Sequence, residues 1–250
     1  MLEIIITVMG LIIGSFLNVC IYRLPRRESV VFGSSYCPEC EQSLRPLDLI
    51  PVFSYFILEG KCRYCNEKIN IRYPFIELLT GAVFLITFLT IGFNINLIKY
   101  LFLFSALIVV FFIDVDHEII PNQLVLVIFT WGLLWQLFWP EISWADALGG
   151  AFLGGGLLLL ASLISRGGMG GGDIKLMFAA GFYLGTILTG LALFLGFISG
   201  SVVGIVLILL KVKKRKDYIP FGPFLSFGIF VTVLWGINIV NFYLYYINVS

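Results

Sequence analysis

Two groups of side chains in this sequence have types and spacings suited to chemistry. Four of the five cysteines form two Cys-x-x-Cys pairs: Cys37, Cys40, Cys62 and Cys65. The second group is a pair of aspartates, Asp114 and Asp173, each at the point where an apolar run meets a polar segment. Thiolates at such spacing bind metal ions, and two neighbouring carboxyl groups activate water. The residues therefore predict a metal site and an acid–base site.

The cysteine pairs predict a structural zinc site. The two Cys-x-x-Cys pairs are separated by 21 residues, which suits tetrahedral coordination of Zn²⁺ by four sulfurs. Four thiolates leave no open position for water, so we expect a structural role rather than a catalytic one. A redox pair and incidental thiols are the alternatives. The fifth cysteine, Cys20, lies in an apolar run and is interpreted as a buried apolar residue.

The two aspartates are candidates for catalysis because of where they lie. Asp114 ends an apolar run, and Asp173 follows three glycines and begins another. An ionisable group at the edge of hydrocarbon is costly, which makes it a functional-site candidate. Glycines beside it allow the backbone of a substrate to approach closely. If the two carboxyl groups lie together, they share a proton, so that one acts as base and the other as acid.

Other interpretations of these aspartates and their neighbours remain open. Each aspartate could simply mark the end of a span, and Asp173 could be a helix N-cap. Asp116 is two residues from Asp114, points to another side of a helix, and could replace it. His117, the single histidine, is interpreted as a polar loop residue.

Composition indicates an all-α polytopic integral membrane protein. Hydrophobic residues make up 60% of the chain and charged residues 12%, against about a quarter charged in soluble domains. The mean hydropathy is +1.02. Helices are the form in which such runs satisfy their own backbone in lipid. We predict about eight transmembrane helices: Ile4–Tyr22, Phe75–Gly92, Leu97–Ile113, Gln123–Trp139, Ala145–Ile164, Ile174–Thr186, Gly190–Leu210 and Phe221–Ile247. No cleavable signal peptide is evident.

The distribution of basic residues predicts the orientation. With eight spans, one side of the membrane holds the connections 23–74, 114–121, 166–173 and 211–220. These connections and their flanks contain 15 of the 16 basic residues, and only Lys99 lies near the other side. The positive-inside rule then makes this side cytoplasmic and places both termini outside. Cytoplasmic thiols stay reduced, so disulfides are not expected.

An ordered set of motifs extends over nearly the whole chain. The motifs are Gly14-Ser15-Phe16-Leu17-Asn18-Val19, Arg23-Leu24-Pro25, the two cysteine pairs, Asp48-Leu49-Ile50-Pro51, Ser54-Tyr55, Gly60-Lys61-Cys62-Arg63, Arg72-Tyr73-Pro74, Glu77-Leu78, Ile113-Asp114, Ile120-Pro121-Asn122, Gly170-Gly171-Gly172-Asp173-Ile174-Lys175 and Pro220-Phe221-Gly222-Pro223. This set resembles a known family, the bacterial type IV prepilin peptidases of the Gly-x-Gly-Asp class of membrane aspartyl proteases. Asn122 departs from the pattern, because many relatives have Asp there.

The resemblance implies a membrane aspartyl endopeptidase that cuts a short basic leader from type IV prepilins or pseudopilins at the cytoplasmic face. It implies Asp114 and Asp173 as catalytic residues, and an active-site loop that includes Gly170, Gly172, Lys175 and Pro121. It also implies methylation of the new N-terminus, with S-adenosylmethionine as donor. No Gly-x-Gly-x-x-Gly loop follows a predicted strand, so the residues themselves do not place that donor.

The same resemblance suggests a division of the chain and its partners. We expect a first transmembrane helix over 1–22, a cytoplasmic zinc-binding segment over 23–74 that is associated with methylation, and a peptidase core over 75–250. The expected partners are prepilin or pseudopilin substrates and membrane lipid of the bacterial inner membrane, and no nucleic acid.

Three other classes remain open. A preflagellin peptidase would share the aspartates, but the cysteine-rich insert argues against it. A transporter or scaffold would show an internal repeat and polar residues in mid-membrane, which the sequence does not show clearly. A methyltransferase with purely structural aspartates is the third.

Overall fold

The computed structural model describes residues 1–165, 168–214 and 217–249, with side chains as far as Tyr246. Arg166, Arg215 and Lys216, which contribute to the predicted charge asymmetry, lie outside the described residues. The described chain is helical and contains no strand. Its elements are α1 (Leu2–Arg23), a 3₁₀ turn (Pro46–Leu49), α2 (Phe53–Ile57), α3 (Arg72–Ile91), α4 (Asn96–His117), α5 (Asn122–Phe138), α6 (Trp144–Ile164), α7 (Gly171–Leu209) and α8 (Gly222–Val249).

The long helices confirm the prediction of a polytopic membrane protein. In the part of the chain that the structure describes, six helices are long and apolar enough to cross a bilayer. The shorter helix α5 is also apolar. The predicted sixth and seventh runs both fall within α7, where they form one helical element of 39 residues that is broken at Gly185. With that break, the eight predicted runs each correspond to a helical segment.

The contacts of α7 show that the chain turns back at Gly185. Before the break, Gly181 packs against Gly150 of α6, and after it Gly196 packs against Leu225 of α8. Further along, Gly200 and Gly204 approach Phe221 and Ile219, beside the end of the bundle where Asp173 begins α7. The chain therefore leaves that end, reverses at Gly185 and returns.

Glycine is required at this reversal for two reasons. Gly185 has a φ of 72° and a ψ of 178°, a conformation that side chains disfavour. A Cβ at this position would also collide with the carboxylate of Asp146. That carboxylate accepts a hydrogen bond from the Thr186 backbone N–H at 2.9 Å and another from the Thr186 hydroxyl. An aspartate of α6 therefore caps the returning part of α7.

The chain divides into two compact units, Met1–Val109 and Val110–Ser250, with the boundary inside α4. In the first unit α1 and α3 run antiparallel and very close together. A Cβ at Gly14 would lie 2.7 Å from the Glu77 Cα, and one at Gly10 would lie 2.8 Å from the Gly81 Cα. Small residues allow this approach, which is how helices commonly associate in membranes. A buried apolar cluster of this unit comprises Ile6, Phe84, Leu97 and Leu101.

In the second unit, α7 is the central helix and packs against α5, α6 and α8. The contact with α6 again relies on small residues: Gly150 touches the backbone of Gly181, and Gly154 touches that of Met177. Beside it, Phe182 is buried with Ala147 and Ala151 of α6. This packing holds the first turn of α7, which carries Asp173, in a fixed place.

Candidate functional site

Asp114 and Asp173 line one cavity in the second unit. The cavity has a volume of about 230 Å³, and each aspartate is only 3% exposed. Its other lining residues are Glu118, Ile119, Ile120, Asn122, Gly170, Gly171, Gly172 and Tyr218. Among the described residues that line the cavity, none is a lysine or an arginine. Two carboxyl groups separated by 59 positions in sequence are thus brought to a single small space.

Asp114 is positioned by the end of its own helix and by the start of α8. It lies in the last turn of α4, which ends at His117. Glu118 then adopts a left-handed φ of 55° and donates its backbone N–H to the Asp114 carbonyl at 2.9 Å. The Gly222 N–H donates to Asp114 Oδ2, also at 2.9 Å. This second bond fixes the carboxylate itself.

Asp173 is positioned by the glycine-rich start of α7. Gly170 is the N-cap and Asp173 is the third helical residue, so Asp173 is not the N-cap that one interpretation assigned to it. Its backbone N–H donates to the Gly170 carbonyl at 3.2 Å. Its carboxylate is buried, and Oδ1 has no hydrogen-bond partner among the described residues. A buried, unpaired carboxylate oxygen at a cavity is available to hold water or substrate.

The remaining residues of the expected loop divide into two groups. Gly170 and Gly172 line the cavity, and Gly172 must be small because a Cβ would lie 2.9 Å from the Ile120 Cβ. Lys175 and Pro121 do not line it. Lys175 is exposed and donates to Asn122 Oδ1 at 2.9 Å, while Pro121 is the N-cap of α5. These two residues connect the neighbouring segments rather than face the cavity.

Gly222, Tyr218 and Glu118 are among the residues of the site that were not assigned a role from sequence. Gly222 belongs to the Pro220-Phe221-Gly222-Pro223 motif, which could have directed attention to it. Tyr218 and Glu118 had no comparable signal. Partial burial, with the nearby carboxylates of Asp173 and Asp114, raises the pKa of Tyr218. Its hydroxyl therefore stays protonated and able to donate at neutral pH.

The two polar residues that follow Asp114 on its helix do not share its environment. Asp116 and His117 are exposed, and neither lines the cavity. The geometry of the described residues therefore offers no support for Asp116 as a replacement for Asp114.

The four paired cysteines come together in the first unit. The sulfurs of Cys37, Cys40, Cys62 and Cys65 all lie within 4.8 Å of one another. The Cys37 and Cys65 sulfurs are 3.9 Å apart. A tetrahedral Zn²⁺ site with bonds of about 2.3 Å places its sulfurs about 3.8 Å apart. The donor set and its spacing therefore fit a zinc ion.

The two cysteine pairs form equivalent knuckles, related by a shift of 25 positions. In the first, Cys37 N–H donates to the Gln42 carbonyl, and Glu41 N–H donates to the Cys37 carbonyl. The second knuckle has the same two bonds: Cys62 N–H donates to the Glu67 carbonyl, and Asn66 N–H donates to the Cys62 carbonyl. Glu41 and Asn66 both have positive φ, 56° and 59°. Backbone N–H groups also point at the sulfurs, as in the bond from Tyr64 N to Cys62 Sγ at 3.5 Å, an arrangement that favours thiolate.

Two arginines organise the segment around the knuckles. The buried Arg23 guanidinium, at the end of α1, donates to the carbonyls of Ser29, Phe32 and Ser34. Arg63 binds Asp48 with an N–O distance of 2.7 Å. Although burial acts to raise it, the hydrogen bond from Arg63 holds the pKa of Asp48 below its ordinary value. These bonds attach the residues before the first knuckle to α1, and the second knuckle to the 3₁₀ turn.

Together these features define a multi-pass helical membrane protein with a four-cysteine cluster and a cavity that contains two aspartates. Residues 8–91 match the bacterial peptidase A24 N-terminal domain, and residues 101–208 match the type IV leader peptidase family. The chain belongs to this family.

Curated relatives match over nearly their full length. A prepilin leader peptidase/N-methyltransferase of Bacillus subtilis is 32% identical, over 96% of this chain and 97% of its own. Proteins of the same name from Aeromonas salmonicida and Pseudomonas aeruginosa are 34% and 33% identical, over 94% of this chain and 91% of theirs. No solved structure is significantly similar.

Proposed function

We propose that this protein is a membrane aspartyl endopeptidase that removes the leader from type IV prepilins or pseudopilins and methylates the new N-terminus. The observation that carries the peptidase proposal is the burial of Asp114 and Asp173 in one cavity. The family and the names of the relatives supply the substrate class.

The two carboxyl groups suit hydrolysis without a covalent intermediate. Sharing one proton, they hold a water molecule that attacks the scissile carbonyl carbon. The ionised carboxylate takes a proton from the water, and the protonated one delivers its proton to the leaving amide nitrogen. The peptide C–N bond breaks, and the pair again holds one proton. The unpaired Asp173 Oδ1 and the fixed Asp114 Oδ2 suit this geometry.

The substrate enters with its apolar helix in the bilayer and its leader at the membrane surface. In this proposal the cavity lies at the cytoplasmic face of the bacterial inner membrane, because 15 of 16 basic residues belong to that side. Asp114 and Asp173, at the ends of apolar helices, then meet the cleavage site at the interface.

The methylation half of the proposal rests on the names of the relatives, which are leader peptidases and N-methyltransferases. S-adenosylmethionine would supply the methyl group. We assign no residues to it. The division into a first helix (1–22), a cysteine segment (23–74) associated with methylation, and a peptidase core (75–250) belongs to this proposal. Zn²⁺ bound by the four cysteines would hold the cysteine segment in shape.

The decisive experiment incubates the purified protein with a type IV prepilin, with and without S-adenosylmethionine, and measures the mass of the product N-terminus. We expect cleavage in both cases and an additional methyl group only with the donor. Asp114→Asn and Asp173→Asn should each abolish cleavage, since neither leaves a second carboxyl group.

The matched control is Asp116→Asn, which alters a neighbouring exposed acid on the same helix. It should retain most activity. Cleavage at the parent rate by either of the other two variants, with normal insertion, would show that the pair is not catalytic.

A further inference from the structure

The segment between the two cysteine knuckles contains an unusual exposed apolar stretch. From Leu49 to Leu58, ten consecutive residues carry no charge. We call residues 49–58 the apolar segment; it begins at the last residue of the 3₁₀ turn and contains α2. Phe53, Phe56 and Ile57 are 64%, 71% and 73% exposed. A contiguous exposed patch of this kind marks a surface that something else covers.

The apolar segment is tied to a membrane helix at one buried point. The Val52 backbone N–H donates to Glu77 Oε2 at 2.7 Å. Glu77 is buried in α3, beside Gly14 of α1. Val52 has a left-handed φ of 64°, so the backbone is bent to make this contact. Because one partner is a main-chain group, the bond fixes the position of the segment rather than of one side chain.

That bond determines how deep the segment lies. Glu77 is five residues inside α3, which begins at Arg72, and this is about 7 Å along the helix. On α1 the matching level is Gly14, nine residues before the terminal Arg23, or about 13 Å. Helical side chains lean toward the N-terminus of their helix, so Glu77 Oε2 and Val52 lie between this level and the charged ends of the two helices, beside the first turns of α3. Amphipathic segments at membrane surfaces bury their apolar face to a similar depth, about 5–10 Å into the boundary between headgroups and acyl chains.

The geometry points to lipid as the occupant of this surface: we propose that the apolar segment is embedded in the membrane interface, with Phe53, Phe56 and Ile57 among the acyl chains. Arg45 and Lys61 lie on either side of it, beyond Asp48 and Glu59, and would meet anionic headgroups. In that position the cysteine segment is held at its two knuckles and dips into the membrane interface between them.

Exposed apolar side chains on the first turns of α3 lie near this depth. Phe75 and Leu78, on either side of Glu77 in the helix, are 54% and 52% exposed. Since α3 spans the membrane, these side chains contact lipid. Lipid is therefore present at the depth where the Val52–Glu77 bond holds the apolar segment. Lipid contact at this depth does not depend on which peptide the cavity cleaves.

The test places a photoreactive diazirine derivative of phenylalanine at position 56 in the full-length, zinc-loaded protein. The protein is reconstituted into vesicles of phosphatidylethanolamine and phosphatidylglycerol, irradiated and digested, and the peptides are weighed. The same residue at Glu39, on the exposed surface of the first knuckle, is the matched control. We expect a phospholipid adduct at position 56 that exceeds the one at position 39 several-fold.

Equal labelling at the two positions, or water addition alone at position 56, would overturn the proposal. So would a peptide adduct at position 56, which would show that protein covers the segment. Zinc content that matches the parent confirms that both labelled proteins are folded. In a second variant, Phe56→Asp should weaken lipid labelling from a diazirine placed at position 53; unchanged labelling there would also contradict it.

Discussion

The Gly222 N–H donates to Asp114 Oδ2 at 2.9 Å, although 108 positions separate the two residues. The bond joins the end of α4 to the start of α8, so the first residue of the last helix holds one carboxylate of the candidate pair. A Cβ at Gly222 would lie 2.7 Å from the same oxygen. Glycine is therefore needed for the approach as well as for the bond.

Replacing Gly222 by Ala should displace Asp114 and lower prepilin cleavage. The N–H remains, so the loss comes from the added methyl group alone. A shift of about 1 Å in a catalytic group costs roughly a hundredfold in rate. Initial rates with a prepilin substrate measure the effect. Gly156→Ala is the control, because nothing lies within 4 Å of a Cβ at that position; a loss equal in both variants would contradict the prediction.

Tyr218 should act through its hydroxyl as a positioning donor in the cavity. Tyr218→Phe removes that donor and is expected to lower kcat by up to about a hundredfold with little change in KM. Because burial and the nearby carboxylates raise the pKa of Tyr218, the hydroxyl keeps its proton as pH rises through the neutral range. The alkaline limb of the pH–rate profile should therefore have the same midpoint in parent and variant. A midpoint that moves with the substitution would assign that limb to Tyr218.

Zinc content should depend on the paired cysteines and not on the fifth. Cys37→Ser and Cys62→Ser each remove one of four sulfurs that lie within 4.8 Å of one another. We expect both variants to lose most bound zinc and to unfold at lower temperature, since metal binding contributes to folding. Metal analysis of the purified proteins and thermal unfolding measure this. Cys20→Ala, in α1, should keep its full zinc content.

The reversal at Gly185 should tolerate no side chain. Gly185→Ala places a Cβ at a φ of 72° and against the Asp146 carboxylate. The unfolding free energy in detergent should fall by about 2 kcal/mol or more. Gly190→Ala is the matched control five residues further along the same helix, where a Cβ has open space. There the substitution should be neutral, or stabilising by up to about 1 kcal/mol.

Much of the architecture could be predicted from sequence because it depends on local properties. Apolar runs of spanning length predict helices, since lipid offers no partner for a free backbone. Two Cys-x-x-Cys pairs predict a four-sulfur cluster, because each pair already has knuckle spacing. Hydropathy did not specify the boundary between the sixth and seventh runs; the reversal at Gly185 and the cap from Asp146 depend on the packing of α6.

The sequence by itself determined the helical membrane class, the cysteine cluster, the family resemblance and the two candidate aspartates, because residue type, spacing and hydropathy are properties of single segments. Only the tertiary structure decided that Asp114 and Asp173 share one cavity, since that depends on the packing of α7 against α8, whose first residue binds Asp114. The same is true of the Gly222 bond, the approach of Tyr218, and the depth of Val52 beside Glu77. Each joins residues far apart in the chain, and no spacing in sequence specifies such a distance.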